Sequence, residues 1–284
     1  MSIVVTGATG HLGRHVMEQL LQQVPADQVT AVVRTPEKAT DLAERGVKLA
    51  VADYNAPETF DGLFAAGDKV LLISGSEVGN DRVGQHTVVI GAAKAAGVAL
   101  LAYTSAPGSL TAALADDHRG TEKVLLESGL PYVLLRNGWY HENHTENLAP
   151  VLEHGAVTHA AGAGRVSSAS RADYAAAAVA VLTGEGHENK TYELGGDIAW
   201  SFAEYAAELS RQTGREIAEN PVDAETLTGI LTGAGLPEPL AAILAGVDTS
   251  VEKGELVVTS GDLSRLAGRP TTPLAESITA ALKG

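Results

Sequence analysis

Val4-Val5-Thr6-Gly7-Ala8-Thr9-Gly10-His11-Leu12-Gly13-Arg14-His15-Val16 begins as an apolar run, passes through three glycines and enters a stretch of helical periodicity. A buried strand, a tight turn and a helix N-terminus in that order make a phosphate cradle, because free backbone N–H groups and the positive end of the helix dipole converge there. In such a cradle Gly7 makes the sharp turn, Gly10 lets the backbone approach a diphosphate, and Gly13 allows close packing of helix on strand. Ala8, Thr9, His11 and Leu12 complete the turn and are read with the glycines as cofactor-binding. The spacing is G-x-x-G-x-x-G, one residue wider at the front than the G-x-G-x-x-G dinucleotide fingerprint. A glycine-rich turn by itself is often only a turn. After a first strand, and before an amphipathic helix read over 11–23, it predicts a dinucleotide site.

The same alternation continues downstream. Strands are expected at Gln28 to Val33, ending at Arg34; at Val47 to Ala52, ending at Asp53; and at Lys69 to Ile73, ending at Ser74-Gly75-Ser76. Two more follow at Ala99 to Tyr103, ending at Thr104-Ser105, and at Pro131 to Leu135, ending at Arg136-Asn137. Pro36 and Pro57 are placed to open helices between them. Short runs apolar on both faces, separated by helices, indicate a Rossmann-type, doubly wound parallel sheet of the α/β class. Ligands of such sheets lie beyond the carboxyl ends of the strands, so Arg34, Asp53, Ser74, Ser105 and Asn137 are expected to line one crevice.

From Trp139 the beat weakens. An alanine-rich helix is expected over 172–182 and a short strand over 191–194, both packing back on the sheet. Helices over 202–213, 224–233 and 237–245 are read as part of a smaller C-terminal substrate lobe that covers the crevice, and 259–272 as turn chemistry. The expected division is a dinucleotide-binding domain over 1–138, joined by 166–195, and a substrate lobe over 139–165 and 196–284.

The 284 residues, 45% of them hydrophobic, suffice for a proper core. With 35 acidic against 20 basic residues the formal charge is −15, which argues against a nucleic-acid or anionic-membrane partner. There is no cysteine, which excludes disulfides and thiolate chemistry, and no apolar run of membrane-spanning length. With Met1-Ser2-Ile3 leading straight into a strand, a cytoplasmic protein is expected.

Arg34 stands about twenty residues past the third glycine, where an NAD site places an acid on the ribose hydroxyls. A guanidinium there forms charge-assisted bonds to a 2′-phosphate and favours NADPH; a solvated arginine past a strand is the plainer reading. Asp53 suits either the adenine amino group or the cap of the following turn. His141-Glu142-Asn143-His144 has its histidines three apart, where the His-Glu-x-x-His zinc motif needs four, and no metal is expected. Trp139 and Tyr140 directly follow the sixth strand and suit either stacking on a flat acceptor or packing in the small lobe.

Several stretches resemble one family. Thr6 to Gly13, Ala31-Val32-Val33-Arg34, Ser76-Glu77-Val78-Gly79, Ala102-Tyr103-Thr104-Ser105, Leu135 to Tyr140 and Ser170-Arg171-Ala172-Asp173-Tyr174 are similar to those of the NmrA-like atypical short-chain dehydrogenases/reductases, most of all their quinone-reducing branch. The likeness runs to the tail Pro270 to Ser277, and Gly186 to Tyr192 is shared with the dye-reducing branch. The resemblance implies a flavin-free, two-domain protein that binds NADPH and passes hydride directly to a quinone. Carried over by position, the glycine turn, Arg34, Ser74, Gly75, Ser76, Asn137, Gly138 and Trp139 surround the cofactor, and Tyr140 and Asn143 orient the acceptor. The sequence departs from the family over 79–85 and 106–113. Ser105 and Lys123 stand where short-chain reductases keep a serine and the lysine of Tyr-x-x-x-Lys, but the tyrosine's place is taken by Arg119, which cannot give up a proton at neutral pH. Lys123 is read as a nicotinamide-ribose contact or as an exposed helix lysine. The expected partner is a small quinone or other conjugated acceptor, with room for a homodimer. The competing readings are a reductase of dyes and a non-catalytic NADP-binding redox sensor.

Overall fold

Apolar residues on both faces place Ile3–Val5 (β1) in the middle of a parallel sheet, where Val4 and Val5 are fully covered. The computed structural model describes residues 2–75, 81–111, 114–146 and 148–283. After the glycine turn comes His11–Leu20 (α1), which buries Leu12, Val16, Met17 and Leu20 along one stripe. Val29–Val33 (β2), Thr40–Glu44 (α2), Lys48–Val51 (β3) and Lys69–Leu72 (β4) follow. Next are Arg82–Ala96 (α3), Leu100–Ser105 (β5), Leu114–Ser128 (α4) and Tyr132–Asn137 (β6). The chain continues through Glu142–Thr145 (α5), Ala149–His154 (α6), Ala156–His159 (β7) and Arg165–Val166 (β8), then Arg171–Thr183 (α7) and Lys190–Leu194 (β9). It finishes with Trp200–Ser201 (β10), Phe202–Thr213 (α8), Ala218–Pro221 (β11), Ala224–Gly233 (α9), Glu238–Glu252 (α10), Asp262–Ala267 (α11) and Leu274–Ala281 (α12).

The main sheet has seven strands in the order β3-β2-β1-β4-β5-β6-β9, and the order reverses between β1 and β4. The neighbouring pairs from β3 to β6 are parallel, with Val5 opposite Ala31 on one side and Leu71 on the other. One face is closed by α3 and α4 over Val32, Val70, Leu72, Leu101 and Tyr103. On α7, nearly all small residues let α1 pack close, and Gln19 Nε2 donates to Ala172 O at 2.9 Å across that contact.

The chain divides into two compact units: Met1–Ala106, Asp117–Asn137 and Arg171–Tyr192 form the first, and Pro107–Asp116, Gly138–Ser170 and Glu193–Gly284 the second. In the second, β7 pairs with β11 and β8 with β10, and α9 packs on α10. Helix α8 starts with a capping box: Ser201 Oγ accepts from Glu204 N–H while Glu204 Oε2 accepts from Ser201 N–H. Inside, His144 meets Trp200 and Phe202 edge-on, and His159 stacks on Phe202 with 4.3 Å between ring centres.

The helix expected at Pro36 begins as a 3₁₀ turn, Pro36–Ala39, that runs on into α2, whereas the one expected at Pro57 is only the 3₁₀ turn Pro57–Phe60, with β4 the next element. The stretch 259–272 contains α11, set between Gly261 and Gly268, both left-handed at φ 68° and 69°. Ser76 and the Glu77-Val78-Gly79 that follows it lie outside the described residues, as do two positions of the 106–113 stretch.

Candidate functional site

The turn between β1 and α1 is tied to both neighbouring strands. Thr6 N–H donates to Leu71 O at 3.0 Å, Ala8 N–H to Val32 O at 3.4 Å, and Gly10 N–H to Gly7 O at 2.9 Å. Gly7 holds a φ of 61°, a left-handed conformation that costs glycine nothing. A Cβ on Gly13 would lie 2.2 Å from Gly7 O and 2.9 Å from the Ala8 backbone, so helix and turn meet at a distance only glycine allows. On Gly10 it would lie 3.2 Å from Gly7 O. Ala8, Leu12 and Gly13 are buried, Thr9 is half-buried, and Gly7, Gly10 and His11 form the exposed rim. At the N-cap, Gly10 supplies no capping side chain, and no acid stands in the first turn. The N-cap thus sets no carboxylate or hydroxyl of its own on the start of α1, which fits the diphosphate of a dinucleotide.

Tyr54 braces this turn from below. Its hydroxyl lies 2.6 Å from Thr6 Oγ1 and 2.8 Å from Ile73 O, and Thr6 Oγ1 also accepts from Ile73 N–H at 3.1 Å. Burial pushes the phenol pKa well above its ordinary value, so this hydroxyl keeps its proton.

The strand ends bring five of the expected residues to the same edge of the sheet. Arg34 is exposed immediately after β2, near enough to Tyr54 for its charge to act on that phenol. Asp53 follows β3 and turns its Oδ1 onto Asn55 N–H at 2.9 Å, organising its own turn; the 3₁₀ turn at Pro57 has no side-chain cap. Ser74 N–H donates to Thr104 Oγ1 at 2.9 Å, and Gly75 N–H to His86 Nε2 at 3.1 Å. Ser105 and Asn137 are the last residues of β5 and β6 and are buried within the strands.

Behind β4, β5 and β6 stands a wall of largely buried polar groups, of which the sequence points to Ser105 but not to its tie to Glu122 and Arg136, nor to the pairing of His86 with Thr121. Ser105 Oγ donates to Glu122 Oε1 at 2.6 Å. Arg136 grips the same carboxylate with both prongs, Nε to Oε1 at 2.9 Å and a terminal nitrogen to Oε2 at 2.7 Å. His86 Nδ1 lies 2.9 Å from Thr121 Oγ1, and Tyr103 Oη 2.8 Å from His118 Nδ1. Burial, seconded by the His118 and Arg82 charges, lowers His86 to a pKa of about 3, and burial with Arg82 lowers His118 to about 4. Arg82 itself is buried and pairs with Asp117 at 3.2 Å.

Lys123 is not among the residues brought together. Its side chain is 76% exposed on the outer face of α4, 4.0 Å from Glu127 one turn on, while Thr121, Glu122 and Leu125 take the buried face. The position is that of a surface helix lysine, and the ribose contact read from the sequence has no support in it. Arg119 is exposed on the same helix.

Gly138 to Asn143 belong to the second unit and are held within it. Gly138 N–H donates to Leu194 O at 2.7 Å; Ala169 is clasped between Trp139 O, which accepts its N–H at 3.1 Å, and His141 N–H, which donates to its carbonyl at 2.9 Å. Trp139 and Tyr140 are half-buried, and Asn143 is exposed on α5 with its N–H donating to Tyr140 O at 3.2 Å. The two histidines of this stretch face different partners: His141 Nδ1 meets Ser277 Oγ at 2.9 Å, and His144 sits among aromatic rings. Among the described residues no three His, Cys, Asp or Glu side chains are grouped to hold a metal ion.

An uncapped glycine turn after the first strand, at the point where a parallel sheet reverses its order, defines a dinucleotide-binding protein of the α/β type. The profile of the NAD(P)H-binding family matches residues 7–185, and the chain belongs to that family. It is 48% identical to quinone oxidoreductase 2 of Escherichia coli (strain K12) over 97% of each chain. Among solved structures, an NADPH-dependent quinone oxidoreductase from Escherichia coli in complex with NADPH superimposes with a TM-score of 0.95 at 47% identity, covering 99% of both chains. Triphenylmethane reductase from Citrobacter sp., in complex with NADP(H), gives a TM-score of 0.94 at 43% identity over 99% of this chain and 100% of that one.

Proposed function

We propose that this chain is an NADPH-dependent quinone oxidoreductase working without flavin. The observation that carries the reading is the pairing of the uncapped glycine cradle with a guanidinium, Arg34, just past the end of β2, in a chain 48% identical along nearly its whole length to a quinone oxidoreductase. When bound, NADPH supplies the hydride. The residues from Gly7 to Gly13 hold the diphosphate, and Arg34 holds the 2′-phosphate through charge-assisted bonds. Ser74, Gly75, Ser105 and Asn137 bear on the nicotinamide half, since they end the strands on the far side of the reversal from β2. Within the second unit, Tyr140 and Asn143 orient the acceptor.

A quinone spreads the incoming charge over its ring and becomes a weakly basic hydroquinone anion. Positioning then does most of the work, and water completes the protonation. An isolated ketone becomes an alkoxide and needs a donor in place; here the tyrosine of a short-chain reductase is replaced by the exposed Arg119. Conjugated dyes share the quinone's ability to delocalise charge, and the match to triphenylmethane reductase makes them the second acceptor class. The acidic charge and lack of cysteine suit a cytoplasmic protein acting on small molecules, and among the described residues no helix is long and apolar enough to cross a membrane. Turnover of NADPH that depends on added benzoquinone is the test; tight binding of NADPH with no such turnover would instead make the protein a redox sensor.

A further inference from the structure

Ser105 ends β5 with its hydroxyl already committed. An ion-paired carboxylate can only accept, so the 2.6 Å contact between Ser105 Oγ and Glu122 Oε1 must be donated by the serine. Glu122 is 6% exposed and Ser105 5%, and Arg136 fixes the carboxylate through Nε and a terminal nitrogen. Turning the hydroxyl hydrogen elsewhere would break a charge-assisted bond in a buried place and leave Oε1 with Arg136 Nε alone. What Ser105 retains is its pair of acceptor lone pairs.

We propose that Glu122, held by Arg136, is a positioning residue that makes Ser105 a hydrogen-bond acceptor for a donor on the nicotinamide-nucleoside half of the cofactor. This rests on the NADPH reading above. Arg34 ends β2 on one side of the reversal in strand order, and Ser105 ends β5 on the other, so Ser105 falls to the nicotinamide half when the diphosphate sits on the turn after β1. Two donors exist there, the carboxamide NH2 and the ribose hydroxyls. The same arrangement withholds from a developing alkoxide the serine proton that carbonyl reduction would use, so the acceptor preference is built partly into Glu122.

The test is direct binding, read by NADPH fluorescence, for the wild type, Ser105→Ala, Glu122→Gln and the double variant, with the reduced 3-acetylpyridine analogue as a second ligand. In that analogue a methyl group replaces the amide NH2. Ser105→Ala is expected to weaken NADPH binding by about 5- to 20-fold. Glu122→Gln, which sets an amide donor against Arg136, should weaken it similarly, and the double variant should be no weaker than the worse single one, since both act through one oxygen. If the carboxamide is the donor, the Ser105→Ala penalty disappears with the acetylpyridine analogue; if a ribose hydroxyl is, the penalty stays. Wild-type affinity in Ser105→Ala, or losses that multiply in the double variant, would overturn the proposal. Ser105→Ala removes one oxygen and decides the matter even should Glu122→Gln not fold. A wild type that fails to bind NADPH would count against the cofactor reading itself.

Discussion

The backbone N–H of Gly75 donates to Nε2 of His86 at 3.1 Å, and Nδ1 of the same ring meets Thr121 Oγ1 at 2.9 Å. An amide can only donate, so Nε2 carries no proton and Nδ1–H is the donor to Thr121, which passes its own hydrogen to Asp117 O at 2.9 Å. The end of β4 is therefore fastened to a buried imidazole that has to be neutral, with a pKa held at about 3 chiefly by burial.

That fastening has a pH signature. Because the folded pKa lies below the ordinary histidine value of 6.5, the unfolded chain takes up the proton first as pH falls, and stability is lost between about pH 6.5 and pH 3. Going from pH 7 to pH 5 should cost about 2 kcal/mol through His86 alone. His118, lowered to about 4 mainly by burial, acts in the same direction. Urea midpoints at the two pH values should fall less for His86→Gln than for the wild type; equal falls would show that His86 is not the titrating group.

Asp248 works with the opposite sign. Burial raises its carboxyl to about 6 even though Ala160 N–H donates to it at 2.8 Å. A folded pKa above the ordinary aspartate value of 3.8 means that stability is lost as pH rises from about 4 to about 6. Asp248→Asn should therefore be more stable than the wild type near pH 8 by roughly 2 to 3 kcal/mol, with the gap closing near pH 4. Thermal unfolding of both proteins at the two pH values checks it, and a gap independent of pH would refute it.

The three glycines of the cradle should respond differently to a side chain. Gly13→Ala drives its Cβ against Gly7 O at 2.2 Å with backbone on both sides, and should destabilise the fold by about 3 kcal/mol or more. At Gly10, on the exposed rim, an added Cβ meets only Gly7 O, at 3.2 Å, so Gly10→Val is the milder change. It should fold and lose NADPH. A folded Gly10→Val with wild-type affinity would take the diphosphate away from this turn.

Arg34→Asp replaces a charge-assisted contact with a carboxylate facing the 2′-phosphate. The preference for NADPH over NADH should drop by about 100-fold or invert, with NADH affinity little changed. Titration of both cofactors decides it: a wild type that binds the two equally well would remove the role assigned to Arg34.

How much of this can be read from the chain depends on how local the cause is. Strands β1, β2, β4, β5 and β6 show as runs of Val, Leu, Ile and Ala because strands covered on both faces need apolar residues throughout, while β3 at the sheet edge is exposed at Lys48 and Val51; the glycine turn shows because its backbone demands are met within a few positions. Ser105, Glu122 and Arg136 look like a strand-end polar residue and two surface charges, since the carboxylate sits 17 positions from one partner and 14 from the other. Likewise His86 stands 11 positions from Gly75 and 35 from Thr121, spacings that follow from the sheet order and from no sequence period. Lys123 illustrates the converse: its place in a familiar motif points to the site, whereas the helical phase of α4 turns it to solvent and turns Glu122 inward. In the second unit β11 is Ala-Glu-Asn-Pro, exposed throughout, and carries no apolar pattern by which to find it.

Following NADPH absorbance with the purified protein, in the presence of benzoquinone or of an unconjugated ketone at equal concentration, tests the central claim most directly. Rapid loss with the quinone and none above background with the ketone is the expected result, because Arg119 holds the place of the short-chain reductases' tyrosine acid, which an alkoxide would need. Ketone reduction at a rate comparable to that of the quinone, or NADPH binding with no quinone-dependent loss at all, would contradict it.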